Sequence, residues 1–130
     1  MAGVWVTCLV ARTAVWQSPE PAPTLASSGV YTAEQAARGK DAYALYCSSC
    51  HNLGSQSGEP FAKKWNGVRV SELMFVLTDA MPKDDPGLLT PTERVDVIAY
   101  LLKLNDLAAG EKPLPEDPAL LKNIVIDLVK

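Results

Sequence analysis

Apolar residues keep a helical period most clearly near the start of the chain's last third. Val95, Ile98, Ala99 and Leu102 follow the i, i+3, i+4, i+7 pattern. Val97, Leu101 and Leu104 widen that face, and Tyr100 lies on it too. The segment opens with Thr90-Pro91-Thr92-Glu93, in which Thr90 can cap, Pro91 suits the first helical position and Glu93 completes a capping box. This predicts a helix that frays near Asn105. Thr32-Ala33-Glu34-Gln35 is a second capping box and predicts a helix running towards Tyr46. On it Gly39, Tyr43 and Tyr46 share one face. A glycine inside a helix costs about 1 kcal/mol against alanine. Its use at position 39 must therefore be close approach by another helix. A third helix is expected with Ser71 as N-cap, Glu72 in the first turn, and a stripe of Leu73, Val76 and Leu77 up to Ala80. Pro82 ends it.

Between these segments the pattern fades. Asn52 to Gly67 has many Gly, Ser, Asn and Pro residues and little periodicity, which predicts a loop wrapping something. Phe61 and Trp65 stand in it four residues apart. They are either the anchors of an ordinary loop or a wall of a cofactor pocket. Lys83-Asp84-Asp85-Pro86-Gly87 is turn-rich. Pro113, Pro115 and Pro118 make the start of the tail extended, Asp117-Pro118 can begin a short helix through Lys122, and Ile124-Val125-Ile126 is strand-like. No internal repeat is visible. The pattern divides the chain into a leader (1–30), an all-α domain (31–106) and a C-terminal extension packing on it (107–130), with no packed structure before about Tyr31.

The leader reads in two ways. Gly3 to Ala11 is apolar but far shorter than the roughly 20 residues a membrane-spanning helix needs, and Gln17 to Pro23 cannot continue a helix. Small residues follow, with a conceivable cleavage after Ala26. This pattern fits a secretory signal whose basic first region is missing, or a disordered arm in front of the domain. Composition narrows the picture a little. The chain has 130 residues, enough for one domain, and 48% are hydrophobic, enough for a real core. The net charge of −3 argues against a nucleic-acid partner, whose phosphates require a basic face.

The three cysteines carry the chemistry. An odd number argues against a simple disulfide framework. Cys8 lies in the leader, where Val6-Thr7 makes a poor lipidation box. The other two form Cys47-Ser48-Ser49-Cys50-His51, and His51 is the only histidine in the chain. Cys-X-X-Cys-His is the attachment sequence of haem c: two thiols on a turn reach the two vinyl groups of one porphyrin, and the following imidazole can ligate the iron. A thioredoxin-like redox pair would want a strand before the motif, where a helix is predicted. A zinc site would fall one ligand short of four. With no second histidine, the other axial ligand must be sought among methionines. Met81, where a helix stops before Pro82, is favoured over Met74, whose place inside that helix suits the core. A vacant sixth position is a third option. His51 and Met81 together would fill both axial positions and raise the reduction potential, which suits a carrier of electrons better than an enzyme. The alternative is a haem enzyme or small-ligand sensor in which Met81 is displaced.

These residues resemble those of the class I cytochrome c family over about Tyr31 to Asp106. In that family a glycine and an aromatic on the N-terminal helix precede the haem motif, and Gly39 and Tyr43 match them. The aromatic of the C-terminal helix looks like Tyr100, and the distal Met-Pro pair looks like Met81-Pro82. Trp65 is similar to a tryptophan at the haem propionates. The resemblance implies an all-α class I cytochrome c fold, three to four main helices around one covalently bound haem c. The stretch Phe61 to Pro82, with Trp65-Asn66-Gly67, Glu72-Leu73 and Met81-Pro82, is similar to small bacterial cytochromes linked to quinoprotein alcohol dehydrogenases. It implies redox protein partners, such as a quinoprotein dehydrogenase and a terminal oxidase or another cytochrome. Because haem c is attached outside the cytoplasmic membrane, it also implies a periplasmic protein without a membrane span. The departure from the family is the leader, whose pattern is poor for an exported protein.

Overall fold

A computed structural model describes residues 1–4 and 14–128; Cys8 and the middle of the predicted leader lie outside the described residues. Helix α1 spans Ala33–Tyr46 and helix α4 spans Pro91–Leu104. Each begins with the expected capping box, from Thr32 and Gln35 and from Thr90 and Glu93, with both reciprocal hydrogen bonds made. Helices α2 (Gly58–Trp65), α3 (Val70–Asp79) and α5 (Pro118–Leu121) complete an all-α domain, the fold class expected from the sequence.

The α1–α4 crossing is the centre of the molecule. A Cβ at Gly39 would lie 1.8 Å from the Asp96 carbonyl oxygen and 2.9 Å from Tyr100 Cβ, so only glycine lets the two backbones meet there. One turn on, the Tyr43 and Tyr100 rings meet with centroids 5.5 Å apart, tilted by 58°. Beside them Arg38 reaches Asp96 with two hydrogen bonds of 2.7 and 2.8 Å. Ile98, Ala99 and Leu102 of α4 are fully buried, together with Phe61, Val70 and Leu121 from the helices around them.

Three local expectations are corrected. The segment 52–67 is largely helical, not a loop: Leu53–Gln56 forms a 3-10 turn capped by Asn52, and α2 follows. Pro60 falls in the first turn of α2, where no backbone donor is needed. Glu59 and Lys63 pair at 2.9 Å, and Lys63 and Lys64 lie in the last turn, where cations suit the dipole. Eight residues give too short a window for periodicity to show. Helix α3 starts at Val70, with Arg69 rather than Ser71 as N-cap and no side-chain cap. Full burial of Val70 and a bridge from Arg69 to Val125 fix that start more firmly than a hydroxyl would.

The third correction concerns the first thirty residues. Packed structure begins before Tyr31, with strand β1 (Thr24–Leu25) pairing in parallel with β2 (Ile124–Val125), Thr24 opposite Ile124. Ala26 is fully buried and Ser27 hydrogen-bonds the Asp127 carboxylate. The partner strand lies at the far end of the chain, so no local pattern could announce it. Around this pair, residues 107–128 lay Leu107, Leu114, Leu121 and Ile126 into the core. Gln35 ties the extension to α1: its side chain accepts from Leu114 N–H at 2.7 Å and donates to the Leu114 carbonyl at 3.0 Å.

Candidate functional site

Helix α1 delivers the cysteine motif. Cys47 is its C-cap, with its N–H on the Tyr43 carbonyl at 2.9 Å. The chain then turns tightly: Cys50 N–H and His51 N–H both donate to the Cys47 carbonyl, at 3.1 and 2.9 Å. Two cysteines and a histidine thus leave one short turn. Neither thiol is in a disulfide; Cys47 is half-buried against the core and Cys50 is exposed. Burial pushes the Cys47 thiol up, so it stays a neutral S–H.

His51 is half-buried and held from two sides. The Tyr43 hydroxyl donates to its carbonyl at 2.8 Å. Tyr43 itself is buried, and that burial raises its phenol above the usual range, so it remains a donor. The carboxamide of Gln56 lies 3.3 Å from the ring Nδ1, leaving Nε2 for another partner. Gln56 is in turn anchored by Asn105 at the end of α4, which donates to the Gln56 carbonyl at 2.9 Å and accepts from Gly58 N–H at 3.0 Å.

The remaining candidates come from other elements. Met81 follows Ala80, the C-cap of α3, and is half-buried against the core. Met74 is 3% exposed in the middle of α3. Trp65 ends α2, buried beside Phe61 with ring centroids 6.4 Å apart, and the Lys64 ammonium sits 4.9 Å from its ring centroid. Sequence reasoning named these residues but not Gln56 or Asn105. In sequence Asn105 looks like the frayed end of a helix, and Gln56 lies in a stretch without periodicity.

The donor set fits haem c. Two unpaired thiols on one turn match two vinyl groups, and the adjoining imidazole keeps one nitrogen available. Among the described residues no group of three His, Cys, Asp or Glu side chains is placed to hold a metal ion. Among them, too, no helix is long and apolar enough to cross a membrane.

Comparison with known proteins agrees with this chemistry. The family model for subunit III of cbb3-type cytochrome c oxidase matches residues 34–101, more than half of the chain. That span runs from the first turn of α1 through the cysteine motif and Met81 into α4. A cytochrome bc1 complex cytochrome c subunit of Corynebacterium diphtheriae is 32% identical over 72 residues, 50% of this chain and 26% of that relative. The chain therefore spans about a quarter of that relative's length. No solved structure matches significantly. The helix crossing at Gly39, the cysteine–histidine turn and the family match lead to one conclusion: the chain belongs to the cytochrome c family that this model describes, class I c-type cytochromes that hold haem c covalently and carry electrons.

Proposed function

We propose that this protein passes single electrons between redox partner proteins, with Cys47 and Cys50 bound to the haem and His51 and Met81 as its axial ligands. The observation that carries the reading is the turn after α1, where two free thiols and the sole histidine emerge together. Bound there, haem c supplies a one-electron couple. The protein's residues do the rest. Tyr43 and Gln56 restrain His51 from its two ends. Met81 has a half-buried place at the end of α3, where chain leaving a helix can turn its thioether inward. Met74, deep in the same helix, serves the core. Trp65 contributes an apolar wall with Phe61.

Held by both His51 and Met81, the group would supply one-electron chemistry with no position left for a substrate, which suits electron transfer between proteins. The donor and acceptor follow from two lines of support. The stretch Phe61 to Pro82 favours an electron-accepting role beside a periplasmic dehydrogenase. The matched proteins are named for respiratory complexes, which favours a place beside such a complex instead. Co-purification from native membranes and periplasm separates the two. A periplasmic location is part of the same proposal, because haem c is attached outside the cytoplasmic membrane.

Met81→Ala tests the ligand set. The visible spectrum of the oxidised protein should lose the weak methionine–iron band at the red end, and reduced protein should now bind carbon monoxide rapidly. A band that survives the substitution overturns Met81 as ligand. Rapid, tight carbon monoxide binding by the unsubstituted protein would favour a ligand sensor or haem enzyme.

A further inference from the structure

A protease that removes a leader reads small residues one and three places before its cut, and Thr24-Leu25-Ala26 meets that pattern. The fold puts these residues to another use. Thr24 and Leu25 form β1, with Thr24 N–H on the Asn123 carbonyl at 2.8 Å. Ala26 is fully buried. The bond such a cut would break joins this core residue to Ser27, whose N–H and hydroxyl both donate to the Asp127 carboxylate. The contact continues along the chain. A Cβ at Gly110 would lie 2.0 Å from the Gly29 carbonyl oxygen, so glycine at 110 lets two backbones touch. Tyr31 is buried; its hydroxyl donates to the Leu107 carbonyl, and its own carbonyl accepts from Gly110 N–H at 2.7 Å. Residues 24–31 thus lie against residues 107–127 from end to end. Residues 14–23 differ: they are exposed and without regular structure. Pro19, Pro21 and Pro23 offer no N–H to a ladder, and β1 starts after the last of them.

We infer that residues 24–31 are a permanent strap of the working protein, and that any protease maturing the chain cuts ahead of Thr24. The strap holds one side of β2. The other side is held by residues 67–69, through Gly67 N–H on the Ile126 carbonyl at 2.7 Å and Ile126 N–H on the Val68 carbonyl at 2.9 Å. A cut after Ala26 would strip β1 from β2, empty the place of Ala26 and leave the extension held from one side only. It would also create an ammonium at Ser27, where the N–H now lies 2.8 Å from Asp127 Oδ1. Ser27 is exposed, and an exposed ion pair is worth little. That pair does not replace a buried residue and a paired strand. The inference stands apart from the choice of axial ligands.

The test reads the first residue of the exported, haem-loaded protein by N-terminal sequencing and intact mass. That residue should lie at or before Thr24, and a protein that begins at Ser27 or later overturns the inference. Three further chains make the outcome independent of the native leader. Each follows the same foreign export signal and runs to Lys130; they begin at Ala14, Thr24 and Ser27. The first two should share one Tm. The third should melt about 5 °C lower, and trypsin should cut it faster at Lys112 and Lys122 in the extension. A Ser27 chain with the Tm and trypsin resistance of the Ala14 chain overturns the strap and gives its role to the new ammonium at Asp127. If the Ser27 chain fails to fold, Gly110→Ala in the Ala14 chain decides. Its Cβ pushes the strap away without shortening the chain, so its Tm should fall, and an unchanged Tm counts against the strap.

Discussion

Replacing Gly39 by alanine probes the crossing on which the haem-binding helices depend. The added Cβ would sit 1.8 Å from the Asp96 carbonyl oxygen and 2.4 Å from its carbon. Even a contact of 3.0 Å, the closest that real Cβ atoms show, needs the backbones to part by about 1.2 Å. The obstacle is the peptide of α4, which cannot swing aside as a side chain can. Overpacking of a core costs about 1–3 kcal/mol, and a backbone obstacle belongs at the upper end. Alanine's better helix propensity returns about 1 kcal/mol. The net expectation is a loss of about 2 kcal/mol, or roughly 6–8 °C in Tm for a domain of this size. Thermal unfolding of the haem-loaded protein, followed by far-UV circular dichroism, measures it. Lys40→Ala, at the exposed next position on α1, is the control and should stay within about 0.5 kcal/mol. A Gly39→Ala protein as stable as the parent, or more stable, would show that α1 and α4 do not meet as closely as described.

Two further substitutions test charges at the same helix pair. Arg38→Met removes both hydrogen bonds to Asp96, whose side chain is only 4% exposed while that of Arg38 is 56% exposed; the carboxylate left without its partner should lower the midpoint of denaturant titration, and an unchanged midpoint would contradict the pairing. Glu93 is held below the usual carboxylate range, first by the Thr90 backbone N–H and then by the Thr90 hydroxyl. A carboxyl depressed in the folded state contributes stability that is full above its unfolded value, about 4.3, and is lost as pH falls through the lower folded value. The stability advantage of the parent over Glu93→Gln should therefore be constant above about pH 5.5 and shrink towards pH 3. An advantage independent of pH would refute the capping role of its charge.

Features that act within a few residues were readable from sequence. Both capping boxes are local, and Gly39 betrayed a close crossing because a helix otherwise avoids glycine. The cysteine–histidine motif named its chemistry because three reactive groups within five residues can serve few other purposes. Features that join distant segments were not readable. The pairing of Thr24 with Ile124 spans most of the chain, and each strand has only two residues. The same holds for the clamp from Asn105 to Gln56 and Gly58, because it rests on polar side chains that look like ordinary loop and helix-end residues until the fold brings them together. Helix α2 lay between these cases. Phe61 and Trp65 already stood at helical spacing, but its proline and its glycine at the start masked the signal.

The central claim is that Cys47 and Cys50 each hold the haem by a covalent bond. Intact-mass analysis of the protein matured in a host that attaches haem c, after denaturation and thiol alkylation, reads this directly. The account predicts the mass gain of one haem that acidified organic solvent does not remove, with neither Cys47 nor Cys50 alkylated. Haem that washes out, or a full complement of alkylated thiols at positions 47 and 50, would contradict it.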